Sequence, residues 1–220
     1  MPTQPRHTDR LLLLAQQKGL LRPSDLAALG IPRVYLTRLT AGGKLAKTGR
    51  GLYRLAETPL SESESLAIVA ARAPQAVFCL LTALQFHGLT TQLPRQVWIA
   101  LPQGSHVPRI DYPPVKLIQY TGDAFTQGIE THRIDQVDLR VYSVAKTVAD
   151  CFKHRNKVGL DVALEALKDA RSQKKTSADD LWRYAKICRV ANVMRPYLEA
   201  ARIRSALEPA IGLAARAPKT

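Results

Sequence analysis

Leucines recur through the first forty residues at helical spacing, with polar and basic residues filling the positions between them. In HTDRLLLLAQQKG (7–19), Leu11, Leu12, Leu14 and Ala15 make the apolar stripe of a first helix. Thr8 or Asp9 is its expected N-cap and Gly19 its C-cap. A second helix opens at Pro23-Ser24-Asp25, with Leu26 and Leu29 three apart on its inner face, and Gly30 closes it with a residue that tolerates positive φ. Pro32 suits the first turn of a third helix whose Leu36 and Leu39 face inward. That spacing leaves Arg33, Thr37 and Arg38 outward and Tyr35 half-exposed at one edge. Gly42-Gly43 ends the helix and leads into a basic hairpin turned by Gly49-Arg50-Gly51, in which Tyr53 and Leu55 share one face and Arg54 takes the other. Three short helices followed by a cationic two-stranded hairpin is the order of a winged helix-turn-helix.

The polar stretch AETPLSES (56–63), with Pro59 inside it, predicts a boundary between a domain at 1–58 and a second at 59–220. Ser61 or Ser63 is placed to cap a helix running through Arg72, with Leu66, Val69 and Ala70 as its stripe, and FCLLTALQFHGL (78–89) reads as a helix closed by Gly88. Strands are expected at 97–101, 115–120, 131–136 and 138–143, separated by loops bearing Pro and Gly. From Val144 the pattern is helical: VAKTVADCFKHR, LDVALEALKDARS, SADDLWRYAKICRV and RPYLEAARIRSAL, with a frayed tail. The expected fold class is α+β: an N-terminal winged helix-turn-helix followed by a larger α+β domain with a helical C-terminal half.

Charge then points to a partner. The chain carries 32 Lys+Arg against 18 Asp+Glu, a net +14, which favours polyanions because neutralised phosphates release counterions. Residues 1–56 hold ten cations and two anions, so more than half the excess sits in about a quarter of the chain. Five apolar residues from Leu11 to Ala15 make no secretory signal, and no run approaches the roughly 18 apolar residues of a membrane span, so a soluble, cytoplasmic protein is expected. Cys79, Cys151 and Cys188 are widely spaced in apolar patterns and read as buried small hydrophobes. The five histidines show neither an i,i+4 pair nor a Cys-x-x-Cys partner, so no metal site and no cofactor are expected.

Candidate chemistry concentrates on the third helix and hairpin. Arg33, Tyr35, Thr37 and Arg38 lie within reach of a major groove about 12 Å wide, where arginine pairs bidentately with guanine and Thr or Tyr reaches phosphates or a thymine methyl. Lys44, Lys47 and Arg50 line the hairpin, where a wing tracks backbone or enters a minor groove. Winged helices also serve protein contacts alone; the cationic rather than apolar surface favours double-stranded DNA. Catalysis finds little support. Gly104-Ser105 and Asp111 lack the second carboxylate of a two-metal clamp, because Pro113 stands two residues on, and Gln173-Lys174-Lys175 matches a nuclease pattern in letters only, at the end of a helical run. In YSVAKTVADCFKH (142–154) a strand leads into a helix with Val144, Val148, Cys151 and Phe152 buried, leaving Lys146, Asp150 and Lys153 available. Charge reversal at Lys146 and Lys153 is therefore expected to change stability by less than about 0.5 kcal/mol.

PSDLAALGIPRVYLTRLTAGGKLAKTGRGLYRL (23–55) resembles the winged-helix domain of AbiEi-type antitoxins of bacterial type IV toxin–antitoxin systems, which act in abortive infection. VYSVAKTVADCFKHRNKVG (141–159) resembles the strand-to-helix segment of the same family's C-terminal domain, so that the resemblance spans roughly 8 to 205. It implies an N-terminal domain that binds inverted repeats in its own promoter and represses it. It also implies a C-terminal domain that counters a partner toxin similar to nucleotidyltransferases, with no enzymatic activity; the helix pattern of 142–154 offers Lys146, Asp150 and Lys153 as the surface for that antagonism. Family members often carry an acidic residue and an arginine where this chain has Ala145-Lys146. The alternative is a free-standing DNA-binding protein with a cryptic nuclease-like C-terminal domain; RNA binding is disfavoured because no platform of exposed stacking aromatics is evident.

Overall fold

The computed structural model describes residues 6–57, 64–134 and 136–200. The fold is α+β and divides into two compact units. The first gathers the chain up to Phe78 with Arg95–Gln119 and Glu130–Val141; the second gathers Cys79–Pro94, Tyr120–Ile129 and the chain from Tyr142 onward.

In the first unit, α1 (His7–Lys18), α2 (Pro23–Ala27) and α3 (Val34–Ala41) precede the hairpin of β1 (Leu45–Gly49) and β2 (Leu52–Leu55). The N-cap of α1 is Arg6 rather than Thr8 or Asp9, which fall inside the first turn; there the Asp9 carboxylate favours the positive end of the helix dipole. At the other end, Gly19 takes φ 69 and its N–H donates to the Ala15 carbonyl, as expected of a C-cap. Asp25 ties α2 down: one carboxylate oxygen accepts from the Arg22 N–H at 2.7 Å and the other from Lys18 Nζ at 2.7 Å. Arg10 donates to the Leu29 carbonyl at 3.2 Å, holding α1 to the turn before α3.

The core of this part is Leu11, Ala15, Leu21, Leu26, Ile31, Leu36, Leu39 and Leu45, with Leu29, Tyr35, Tyr53 and Leu55 packed at its margin. The hairpin register pairs Leu45 with Leu55, Ala46 with Arg54 and Lys47 with Tyr53, then shifts before Gly49 meets Leu52. Gly51 takes φ 65 in the turn. Leu21 adds to the hairpin edge by exchanging two backbone hydrogen bonds with Tyr53, of 2.8 and 3.0 Å. Behind it, Leu52 packs on Ile68 and Ala71 of α4 (Glu64–Arg72), with Leu20 beside them.

The inner face of α4 is Ala67, Ile68, Val69 and Ala71, so only Val69 of the expected stripe is central. Its sequence is apolar on most sides, and periodicity alone could not choose the face. The expected caps Ser61 and Ser63 lie outside the described residues. Phe78, expected in a helix, instead belongs with Val77 to β3, the middle strand of a sheet ordered β5-β4-β3-β7-β6. Here β4 spans Val97–Pro102, β5 Val115–Tyr120, β6 Ile129–Ile134 and β7 Val137–Tyr142. Strand β3 runs antiparallel to β4, with Val77 opposite Ala100, and parallel to β7, with Phe78 opposite Val141.

The second unit is helical: α5 (Leu80–Phe86), α6 (Asp123–Thr126), α7 (Val144–Lys153), α8 (Arg155–Val158), α9 (Leu160–Ser172) and α10 (Ala178–Ile187), with helix again at 191–200. Helix α7 packs against α5, α9 and α10. Ser143 caps α7 by accepting from the Lys146 N–H, and Ser177 caps α10 by accepting from the Asp180 N–H at 3.0 Å. Among the described residues no helix is long and apolar enough to cross a membrane.

The Asp25 anchor has a testable signature. Burial pushes its carboxyl pKa up, but the hydrogen bonds from Lys18 and the Arg22 N–H outweigh this and hold it below the ordinary 3.8. A carboxyl depressed by folding contributes stability above its unfolded value and loses it as pH falls through the folded one. Asp25→Ala should cost about 1 kcal/mol at neutral pH by loss of the cap. Thermal melts should show that deficit shrinking below about pH 4; a deficit independent of pH would mean that the charge plays no part.

Candidate nucleic-acid interface

Because Leu36 and Leu39 point into the core, the opposite side of α3 is turned out. Arg33, Thr37 and Arg38 are exposed there, as expected. Tyr35 is half-buried at the core margin; the His7 ring meets it edge-on at 5.3 Å, and the Arg38 guanidinium lies 5.6 Å from its centroid. Tyr35 is thus a platform that restrains Arg38 rather than a free contact. Lys44 follows Gly43 and is fixed through its backbone N–H to the Leu39 carbonyl at 2.9 Å; Lys47 stands on β1 opposite Tyr53, and Arg50 occupies the hairpin tip. Lys44, Lys47 and Arg50 are exposed.

Ion pairing separates these cations from their neighbours. Lys18 is bound to Asp25, and Arg54 lies 3.8 Å from Glu64. Among the described residues, none of Arg33, Arg38, Lys44, Lys47 or Arg50 enters an ion pair. Five exposed cations on the outer side of α3 and along the adjoining hairpin are thus left without a carboxylate partner among the described residues.

Residues 9–56 match the model of a family described as a transcriptional regulator, AbiEi antitoxin. The matched segment is similar to that family's regulator domain. The overall fold is similar to the crystal structure of the RV2827C protein from Mycobacterium tuberculosis, with TM-score 0.55, 14% identity, and 83% of this chain and 72% of that one covered. No curated protein matches the chain. The matched residues run from within α1 to the end of β2 and include every residue singled out for DNA.

The second group of candidates requires correction. Lys146 and Asp150 are not available at the surface: both are fully buried, and their side chains pair at 2.5 Å. The Lys146 ammonium also lies 4.0 Å from the centroid of Tyr142 and 4.7 Å from that of Tyr120. Asp150 accepts in turn from the Cys188 thiol at 3.2 Å. Gly128 seals the site, because a Cβ there would come 2.9 Å from the Lys146 Cβ. Only Lys153 is exposed, so the three residues do not form one surface.

Sequence spacing missed this because α7 was read as an amphipathic helix with one wet side, whereas helices cover it on several. The available signal was an i,i+4 Lys–Asp pair within an otherwise nearly apolar run. Cys79, Cys151 and Cys188 are buried, as the sequence led us to expect. Burial, reinforced by the Asp150 charge, pushes their thiols up, that of Cys188 to about 12, so none is a ready thiolate. Gln173-Lys174-Lys175 sits at the end of α9, where Gln173 and Lys175 donate to the Gly88 and His87 carbonyls and hold the end of α5.

The buried pair reverses the expected tolerance at Lys146. Lys146→Met alone leaves Asp150 buried and uncompensated and should cost about 3–5 kcal/mol in urea unfolding. The double variant Lys146→Met/Asp150→Leu should recover most of that loss, since an apolar pair needs no desolvation. Lys153→Glu should stay within about 0.5 kcal/mol. A single Lys146→Met variant as stable as the parent would show that the pair is not a closed, dry contact.

Proposed function

We propose that this protein is a DNA-binding transcriptional autorepressor and antitoxin. Residues 1–58 act as the reading head, with α3 in the major groove and the hairpin along the backbone or in a minor groove, on inverted repeats in its own promoter. The chain from residue 59 onward counters a nucleotidyltransferase-like toxin encoded in the same operon, without enzymatic activity and within the cytoplasm. The observation that carries this reading is the set of five exposed cations from Arg33 to Arg50 with no ion pair among the described residues, within a segment matching a transcriptional regulator family. Cations left without carboxylate partners cost nothing to redirect to phosphates, whereas Lys18 and Arg54 would first have to break existing contacts.

Each residue has a distinct role in this proposal. Arg33 and Arg38 address guanine edges, with Tyr35 limiting the freedom of Arg38; Thr37 meets backbone or base; Lys44, Lys47 and Arg50 neutralise phosphates. Lys153 remains a candidate for toxin antagonism, while Lys146 and Asp150 serve it by holding α7 in place.

The full chain and its variants, titrated by fluorescence anisotropy against the native promoter at several salt concentrations, test this division of labour. Arg33→Ala or Arg38→Ala should cost about 1–3 kcal/mol on the promoter and much less on unrelated duplex, relaxing sequence preference. Lys47→Ala or Arg50→Ala should weaken all duplexes alike and lower the salt slope by about one. Affinity unchanged in all four variants would remove DNA from this face. Co-expression with the downstream gene product tests the antitoxin half: full-length protein should restore growth, and failure to do so would sink that part of the proposal.

A further inference from the structure

Among the exposed cations of α3 stands a large apolar side chain. Val34 begins α3 and keeps 47% of its surface accessible, although the core beneath is filled by Leu36, Leu39 and Leu45. Helical spacing sets Val34 on one side with Thr37, Arg38 and Ala41, all exposed, and opposite the two buried leucines. Arg33 precedes it, and Arg38 stands one turn away, leaning on the Tyr35 ring. A stiff β-branched side chain is thus presented at the leading end of the helix, between two arginines that find no carboxylate among the described residues.

The open half of this valine gains nothing from burial in the free protein and can gain it only from what the face meets. The base edges of a major groove offer donors and acceptors to arginine, and the apolar feature they offer is the C5-methyl of thymine. Residues at the N-terminal end of a helix lying in that groove contact base edges, whereas those further along leave it. We propose, resting on the DNA reading above, that Val34 is a specificity-determining residue that recognises a thymine methyl next to the base pair addressed by Arg33 or Arg38. The preferred site therefore contains a thymine adjacent to a guanine-bearing pair, and the thymine is read by shape and desolvation rather than by hydrogen bonds.

Replacing thymine by deoxyuridine removes the methyl and leaves every hydrogen-bonding group in place, which isolates the contact. Duplexes selected by the full-length protein from a random-sequence pool supply the site, and each thymine in them is replaced in turn. On the parent protein, one thymine per half-site should show a loss of about fourfold in affinity, the value of one buried methyl group. On Val34→Ala, which favours the helix and leaves the core intact, the same replacement should change affinity by less than about twofold. Val34→Thr, which keeps the shape but exchanges one methyl for a hydroxyl, should fall between. Enriched duplexes with no methyl-sensitive thymine, or sensitivity undiminished in Val34→Ala, overturn the inference while leaving DNA binding in place. Failure of the pool to yield any preferred duplex overturns both. If Val34→Ala binds every duplex like the parent but alters the oligomeric state, the valine belongs to a protein contact and the inference falls.

Discussion

Two leucines set the orientation of the surface on which the proposed function rests. Leu36 and Leu39 enter the same cluster as Leu11, Leu26 and Leu45, and in a helix of eight residues that is enough to fix its rotation about its own axis. Each residue is offset by about 100°, so turning α3 by a single position would draw Thr37 or Arg38 toward an apolar core and expel a leucine. Neither exchange is tolerable, and the outward set Arg33, Val34, Thr37 and Arg38 follows without further instruction. The hairpin inherits this frame: Lys44 is anchored to the last turn of α3, while Leu21 pairs with Tyr53 and Leu52 sits on α4.

The protein treats charge in two opposite ways. Arg33, Arg38, Lys44, Lys47 and Arg50 are exposed and lack carboxylate partners among the described residues, so their attraction for a polyanion is not spent internally. On α7, one cation and one anion are withdrawn completely from water, and each survives there only because of the other, two aromatic faces and a thiol. Surface ion pairs contribute little, whereas a buried pair penalises any arrangement that separates it. Any packing of the helical unit that parted Lys146 from Asp150 would leave a charge buried without its partner.

The elements that sequence reading recovered well are those whose signals are local. Leucine spacing and terminal glycines located α1 to α3 and the hairpin turn, and the apolar stripe of α9, with Val162, Ala166 and Ala170 buried, followed its periodicity closely. The cationic positions from Arg33 to Arg50 were legible for the same reason, since helix period and hairpin alternation decide which side chains can share a core. Val34 escaped because an apolar residue beside a leucine-rich stripe is ordinarily counted with it; only the completed core left it outside.

Other features had no local signature. The face of α4, the two-residue strand β3 within a run that reads as helix, and the burial of Lys146 and Asp150 all depend on residues distant in sequence. A strand as short as Val77–Phe78 exists because β4 and β7 offer hydrogen bonds on both sides, not because its own residues demand it. A lysine on a helix is ordinarily a solvent residue; here Tyr120, Tyr142 and Asp150 make a buried position less costly than separation, and Gly128 lets the backbone close over it. Sequence by itself determined the order of elements from α1 to β2 and which of their cations face outward, because these follow from neighbours three or four residues apart. Tertiary structure alone decided which charges meet water and which meet each other, because desolvation depends on every element packed around a residue and not on the one that carries it.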